Sequence, residues 1–365
     1  MDKKKVLIVD DSAFMRKVIS DIVSEHSELE VVGTARNGKD AIEKMKKYSP
    51  DVVTMDIEMP EMDGLETLKW MIDHHPLPVV MLSSTTKEGT QNAIKALEYG
   101  AVDFVAKPSG TISLDLYKVK TELVTKILLA SKVKKMGNRK DRLEQDGKKE
   151  TKTNLSPTER NRKSRSISLN STREHVKSLV LIGTSTGGPR ALQEVLPLLP
   201  ENIAAPILIV QHMPPGFTKS LAERLNQISD ITIKEAEDGE LLKKGTAYIA
   251  PGDFHMKVRE VGMSLAVSLD QSSRINGLKP SVDVLFESAS KLEFYKKIAV
   301  ILTGMGSDGT NGLIKLKERG NVHTIAESKD SCVVFGMPKS AIEANVIDEV
   351  RPIHEIADTI LKYLP

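Results

Sequence analysis

Five short apolar runs, separated by amphipathic stretches, occupy residues 6–106, and that alternation leaves little choice of architecture. Strands are expected at Val6–Val9, Val31–Ala35, Val52–Met55, Val79–Leu82 and Asp103–Ala106, with helical periodicity over Ala13–His26, Asp40–Lys47, Gly64–His74 and Gly89–Tyr99. Strands that alternate with helices run parallel, because each helix carries the chain back over a face of the sheet. The expected fold is a doubly wound parallel sheet, whose ligands bind beyond the carboxyl ends of the strands where strand order reverses. Asp10 and Asp11 follow the first strand, Asp56 the third, Ser83 the fourth and Lys107 the fifth. All five groups should meet at one edge. Three carboxylates brought together repel one another unless a cation sits among them; hard oxygen ligands favour Mg²⁺, and Lys107 adds further compensation. Asp56 is then a candidate phosphoryl acceptor, with Mg²⁺ and Lys107 neutralising the transferred oxygens and Ser83 hydrogen-bonding to one of them. Acidic residues that merely end strands would not bring a hydroxyl and a Lys-Pro pair to matching positions.

A chain of 365 residues exceeds one ordinary core, so a second domain is expected. From Lys132 to about Arg173 the sequence is rich in Lys, Arg, Asn and Ser with almost no apolar periodicity, the pattern of a flexible linker. Its basic residues lack interleaved aromatics and are diluted by Asp141, Glu144, Asp146, Glu150 and Glu159, which argues against a nucleic-acid arm. The net charge of +2 names no partner, and Cys332, the only cysteine, excludes an internal disulfide framework. Met1-Asp-Lys-Lys-Lys leads directly into the first strand and no transmembrane-length apolar run appears, so a cytoplasmic location without membrane insertion is expected.

Beyond the linker, strands and helices alternate again. The run Val180-Leu-Ile-Gly-Thr-Ser-Thr-Gly-Gly-Pro189 reads as a buried strand and a tight turn into a helix beginning near Arg190. It satisfies the G-x-S-x-G pattern of a nucleophile elbow, although similar turns also cradle phosphates. Strands Leu179–Ile182, Ile207–Gln211 and Ile298–Leu302 are followed by Ser185, by His212 and by the loop Thr303-Gly-Met-Gly-Ser-Asp308-Gly. A serine hydroxyl needs a base; an imidazole takes its proton and a carboxylate orients the ring. Spacing alone leaves alternatives open. Asp308 has a second reading as the N-cap of a helix over Asn311–Arg319, and His255, in Ala-Pro-Gly-Asp-Phe-His, is a rival base. A phosphate cradle at Gly183–Gly188 is disfavoured because no P-loop lysine follows it.

A resemblance chooses among these readings. Val-Asp10-Asp11, Met-Asp56-Ile-Glu-Met-Pro60 with Asp63-Gly64, Ser83 and Ala-Lys107-Pro108 resemble a two-component receiver. Six further motifs are together similar to the chemotaxis-specific protein-glutamate methylesterases, the CheB family. They are Gly-Thr-Ser-Thr-Gly-Gly-Pro189, Gln211-His-Met-Pro-Pro-Gly-Phe-Thr218, Tyr248-Ile-Ala-Pro-Gly-Asp-Phe-His255, Lys279-Pro-Ser-Val-Asp-Val-Leu-Phe286, Leu302-Thr-Gly-Met-Gly-Ser-Asp-Gly-Thr-Asn-Gly312 and Cys332-Val-Val-Phe-Gly-Met-Pro338. The resemblance implies two α/β doubly wound domains, a flavodoxin-like receiver over 1–125 and a Rossmann-like methylesterase over 176–365, joined by a helix end and basic linker over 126–175. It implies that Asp56 is phosphorylated by the chemotaxis histidine kinase CheA with Mg²⁺ at Asp10, Asp11 and Asp56, and that Ser83, Phe104 and Lys107 form the receiver switch. In the hydrolase it implies Ser185 as nucleophile, His212 as base and Asp308 as orienting acid, with no cofactor; His255 becomes a substrate-side or structural residue. Thr184 stands where the family signature has alanine. The implied substrates are methylated glutamates on chemoreceptors, with glutamine deamidation as a second activity. Backbone N–H groups near Thr186 or Met305 are candidates for an oxyanion hole. A monomer is expected, and the unphosphorylated receiver is expected to pack against the hydrolase and limit access to Ser185.

Overall fold

The computed structural model describes residues 3–107, 119–133 and 177–365, which form two α/β domains. Pro108 and most of the expected linker lie outside the described residues. The first domain has strands β1 (Lys4–Val9), β2 (Leu29–Ala35), β3 (Val52–Asp56), β4 (Val79–Ser83) and β5 (Asp103–Ala106). They form one sheet in the order β2-β1-β3-β4-β5, with every pair parallel. Helices α1 (Ala13–Ser24), α2 (Gly38–Tyr48), α3 (Gly64–His74), α4 (Lys87–Tyr99) and α5 (Lys120–Ala130) cover its faces. The helices start where short polar side chains can cap them: Ser12 accepts from Met15 N, Asn37 from Asp40 N and Thr86 from Gly89 N, while Asp63 and Glu66 form a capping box. β1, β3 and β4 are almost continuously apolar because a sheet covered on both faces has no solvent side to alternate toward. Strand order reverses between β1 and β3, so Asp10 and Asp56 fall at the switch point.

The second domain carries a seven-stranded sheet in the order β14-β13-β12-β6-β7-β9-β8, again wholly parallel. At its centre lie β12 (Tyr295–Ile301), β6 (Lys177–Thr184) and β7 (Ile207–Gln211). Outside them are β13 (Val322–Glu327) and β14 (Glu349–Arg351) on one side, and β9 (Thr246–Ile249) and β8 (Thr232–Glu235) on the other. The helices are α6 (Gly188–Val195), α7 (Phe217–Ile228), α8 (Val282–Ser290), α9 (Thr310–Arg319), α10 (Met337–Glu343) and α11 (Ile353–Lys362). Two features depart from simple alternation: β8 and β9 pair in parallel with no helix between them, and β10 (His255–Val261) and β11 (Ser264–Asp270) form an antiparallel hairpin that packs on α8. The chain builds outward from β6 through β7, then returns to lay β12 on the other side of β6. The switch point therefore lies between β6 and β12.

The domains meet through α4 and β5 of the first and α6 and α7 of the second. Phe104 stacks on Phe217 with ring centroids 4.4 Å apart and planes at 22°. Thr90 Oγ1 and Ser220 Oγ are 2.8 Å apart, and Glu98 accepts hydrogen bonds from both Gln193 and Arg224. Apolar contacts run without a break from the receiver's Met55, Met81 and Phe104 to Met213, Phe217 and Ile209.

Candidate active site

The site begins with the sharp turn after β6. Gly187 takes φ 79°, and an added Cβ there would lie 2.6 Å from Val333 Cβ, so both conformation and space demand glycine. Gly188 opens α6 with Pro189 at its first turn, where a missing N–H costs nothing. Ser185 N donates to Thr303 O at 3.0 Å, and Gln211 Nε2 donates to Ser185 O at 2.9 Å. Neighbouring strands on both sides thus hold the backbone of the serine turn.

His212 leaves the end of β7 with its backbone N–H donating to Thr184 O at 3.2 Å. Its Nε2 lies 2.8 Å from Asp308 Oδ2, and the His212 side chain is 9% exposed. Asp308 is not the N-cap of the helix that follows it; Gly309 holds that position. The carboxylate turns to the start of α8, accepting from Ser281 Oγ at 2.8 Å, Val282 N at 2.6 Å and Asp283 N at 3.1 Å. Burial alone would raise its pKa, but the His212 bond and charge, with the amides of Val282 and Asp283, hold it below the ordinary carboxylate value. Asp308 stays ionised and keeps the imidazole N–H directed at Nε2, which leaves Nδ1 as the free lone pair. Among the described residues no hydrogen bond joins Ser185 Oγ to the ring, a contact that in unliganded hydrolases is commonly long and tightens with substrate.

Ser185, Thr186, His212, Met305 and Asp308 line one cavity of about 940 Å³. The receiver supplies its facing wall, including Phe104, Lys107 and Lys126. Thr186 is buried and Met305 is 45% exposed at the rim. His255 is fully buried, with Nε2 3.1 Å from Ser273 O, and does not line this cavity.

Two supports were not singled out from sequence. Glu327, 1% exposed at the end of β13, accepts from Thr303 N at 2.8 Å and from Ser331 Oγ at 2.9 Å. Thr303 in turn accepts Ser185 N and donates its hydroxyl to Thr186 O, so Glu327 braces the serine turn. Asp283 sits in the motif from Lys279 to Phe286 without a role read from it; a polar Ser-Val-Asp ahead of an apolar run is nevertheless a helix-start signal.

At the receiver edge, ligand oxygens of Asp10, Asp11 and Asp56 lie within 4.8 Å of one another. Lys107 Nζ is 2.6 Å from Asp56 Oδ2 and 3.0 Å from Asp10 Oδ2. Burial pushes Asp56 up to about 6 despite the Lys107 charge, so a further cation would stabilise the ionised cluster. Three hard oxygen donors at one point fit Mg²⁺. Ser83 Oγ donates to Gly89 O at 2.7 Å, and Phe104 is buried under α7.

Residues 180–360 match the family profile described as CheB methylesterase, and residues 6–116 match the response regulator receiver domain. A protein-glutamate methylesterase/protein-glutamine glutaminase of Geobacillus kaustophilus is 55% identical over 360 residues, covering 99% of this chain and 98% of its own. The Bacillus subtilis protein of the same name is 48% identical, covering 98% and 97%. The crystal structure of the Thermotoga maritima CheB methylesterase catalytic domain aligns with TM-score 0.50 and 51% identity, covering 52% of this chain and 99% of that domain.

Proposed function

The chain belongs to the CheB methylesterase family, with a response regulator receiver ahead of the hydrolase, and from that premise we propose that Ser185, His212 and Asp308 carry its acyl transfer. The activity is hydrolysis of glutamate γ-methyl esters and deamidation of glutamines on chemoreceptors, under control of receiver phosphorylation. The observation that carries the residue assignment is the 2.8 Å bond between His212 Nε2 and the buried Asp308, beside Ser185 at the switch point of the sheet.

His212 Nδ1 takes the Ser185 proton as Oγ attacks the γ-carbonyl carbon. The oxygen of that carbonyl becomes an oxyanion, with backbone N–H groups near Thr186 or Met305 as its donors. The tetrahedral adduct collapses, the imidazolium proton passes to the departing methoxide, and methanol leaves. Water, deprotonated by His212, then attacks the acyl carbon; the acyl–Oγ bond breaks, Ser185 Oγ takes the proton back from the imidazolium, and free glutamate leaves. With glutamine the first leaving group is ammonia, and the other steps are the same.

In the receiver, Asp56 is the phosphoryl acceptor, Asp10, Asp11 and Asp56 would hold Mg²⁺, and Lys107 neutralises the added charge with Ser83 and Phe104 as the moving parts. Bound Mg²⁺ supplies charge neutralisation of the phosphoryl oxygens. CheA is the phosphodonor, the chain acts as a cytoplasmic monomer, and the working division is receiver 1–125, linker 126–175 and hydrolase 176–365. The unphosphorylated receiver, walling the cavity at Phe104, restricts entry of a receptor helix. Methanol release from methylated receptor membranes tests the assignment: Ser185→Ala should lower it by about 10⁴-fold or more. Release that survives the substitution removes Ser185 as nucleophile.

A further inference from the structure

The segment around Asp283 takes no part in the acyl transfer as derived above, yet it touches the machinery. Asp283 lies in the first turn of α8 and is 9% exposed. Its Oδ1 accepts from Gly309 N at 2.9 Å and Gly312 N at 2.7 Å, the opening amides of α9. Asp308, just before α9, does the reverse and takes the opening amides of α8. Neither helix is capped by the side chain of its own N-cap residue. Each borrows a carboxylate from the other.

Orphan N–H groups and the helix dipole stabilise an anion at a helix start, so each carboxylate fixes the opposite helix. The two helices are also too close to slide independently. A Cβ on Gly312 would fall 2.5 Å from Phe286 Cβ and 3.1 Å from Asp283 Cα. Since Gly309 follows Asp308 directly, whatever holds the Gly309 amide also sets where the Asp308 carboxylate reaches.

We infer that Asp283 is a positioning residue of the hydrolase: by holding the Gly309 and Gly312 amides it fixes the loop that carries Asp308, and so sets the Asp308–His212 hydrogen bond. This rests on the Ser185–His212–Asp308 reading. The exchange keeps two carboxylates close together. Burial and the charge of Asp308 push Asp283 above the ordinary value, while the His212 bond and the opening amides of α8 hold Asp308 below it.

The test uses the full chain with phosphodonor and methylated receptor membranes, measuring kcat, KM and the acid limb of the kcat–pH profile, with thermal melts to establish folding. Asp283→Ala should lower kcat about tenfold or more with KM within about twofold, and should move the acid limb downward as the imidazolium loses its aligned partner. Asp283→Asn keeps an oxygen for both amides and should recover most of the rate and most of the shift. Should the alanine variant fail to fold, Asp283→Glu, which keeps charge and acceptor but adds a methylene, should lower kcat at least about fivefold. A folded Asp283→Ala or Asp283→Glu protein with wild-type kcat and pH profile overturns the inference, as does an asparagine variant no better than alanine. Asp308→Asn run alongside separates the two levels. If it retains full activity, the triad reading fails; if it is impaired while the Asp283 variants are not, only the role of Asp283 fails.

Discussion

Single residues around this site show how neighbours redirect a side chain. Asp308 in sequence looks like a capping residue for the helix after it, and it does cap a helix, but the one beginning at Val282. That orientation buries the carboxylate and makes Oδ2 the shared acceptor of Val282 N–H and His212 Nε2. Glu327 is the complementary case. Burial raises its pKa above the ordinary 4.5 even though Thr303 N–H and Ser331 Oγ bond to it. A carboxyl whose folded pKa is raised contributes fully below its unfolded value and loses that contribution as pH rises through the folded value. Glu327→Gln, which removes the desolvated charge, should therefore raise Tm relative to wild type at pH 7 more than at pH 4.5. Equal Tm differences at the two pH values, measured by calorimetry, would contradict this account.

At the scale of elements, the decisive contact is between the loops that follow β6 and β12. Leu302 N donates to Gly183 O and Ser185 N to Thr303 O, so the two strand ends are tied by backbone alone. Gly304 lets them approach: a Cβ there would meet Ser185 Cβ at 2.8 Å and Met337 Sδ at 2.3 Å. Gly304→Ala should cost about 1–3 kcal/mol through overpacking, and should cut kcat more than it raises KM because the displaced group is the serine. Denaturant unfolding and steady-state kinetics on the same preparation read both effects. The antiparallel hairpin β10–β11 stands outside the strand–helix alternation expected of this domain. It buries His255 and removes that ring from competition with His212.

Across the whole molecule, the receiver contacts the hydrolase through a small set of groups. Phe104, on the receiver's edge strand β5, stacks on Phe217, and Glu98 ties α4 to Arg224 of α7 and Gln193 of α6. A partly exposed ion pair contributes on the order of 1 kcal/mol or less, enough to shift a closed–open equilibrium severalfold. Glu98→Ala should raise methanol release of the unphosphorylated chain about two- to fivefold and leave the phosphorylated rate nearly unchanged. An unchanged basal rate would mean that this contact does not restrain the hydrolase.

The sequence by itself determined the two parallel sheets, the carboxylate cluster at the receiver edge and the strand ends that carry Ser185, His212 and Asp308. Periodicity and strand-end placement are local properties, written in neighbouring residues. Spacing left two imidazoles open as partners of Asp308 and the resemblance chose His212; the tertiary structure alone decided which helix that carboxylate caps. It also decided that Asp283 and Glu327 brace the site, and that Phe104 reaches Phe217. Each of these pairings joins segments far apart in the chain, and each depends on strand order, which sets the neighbours of β6 without leaving a trace in local pattern.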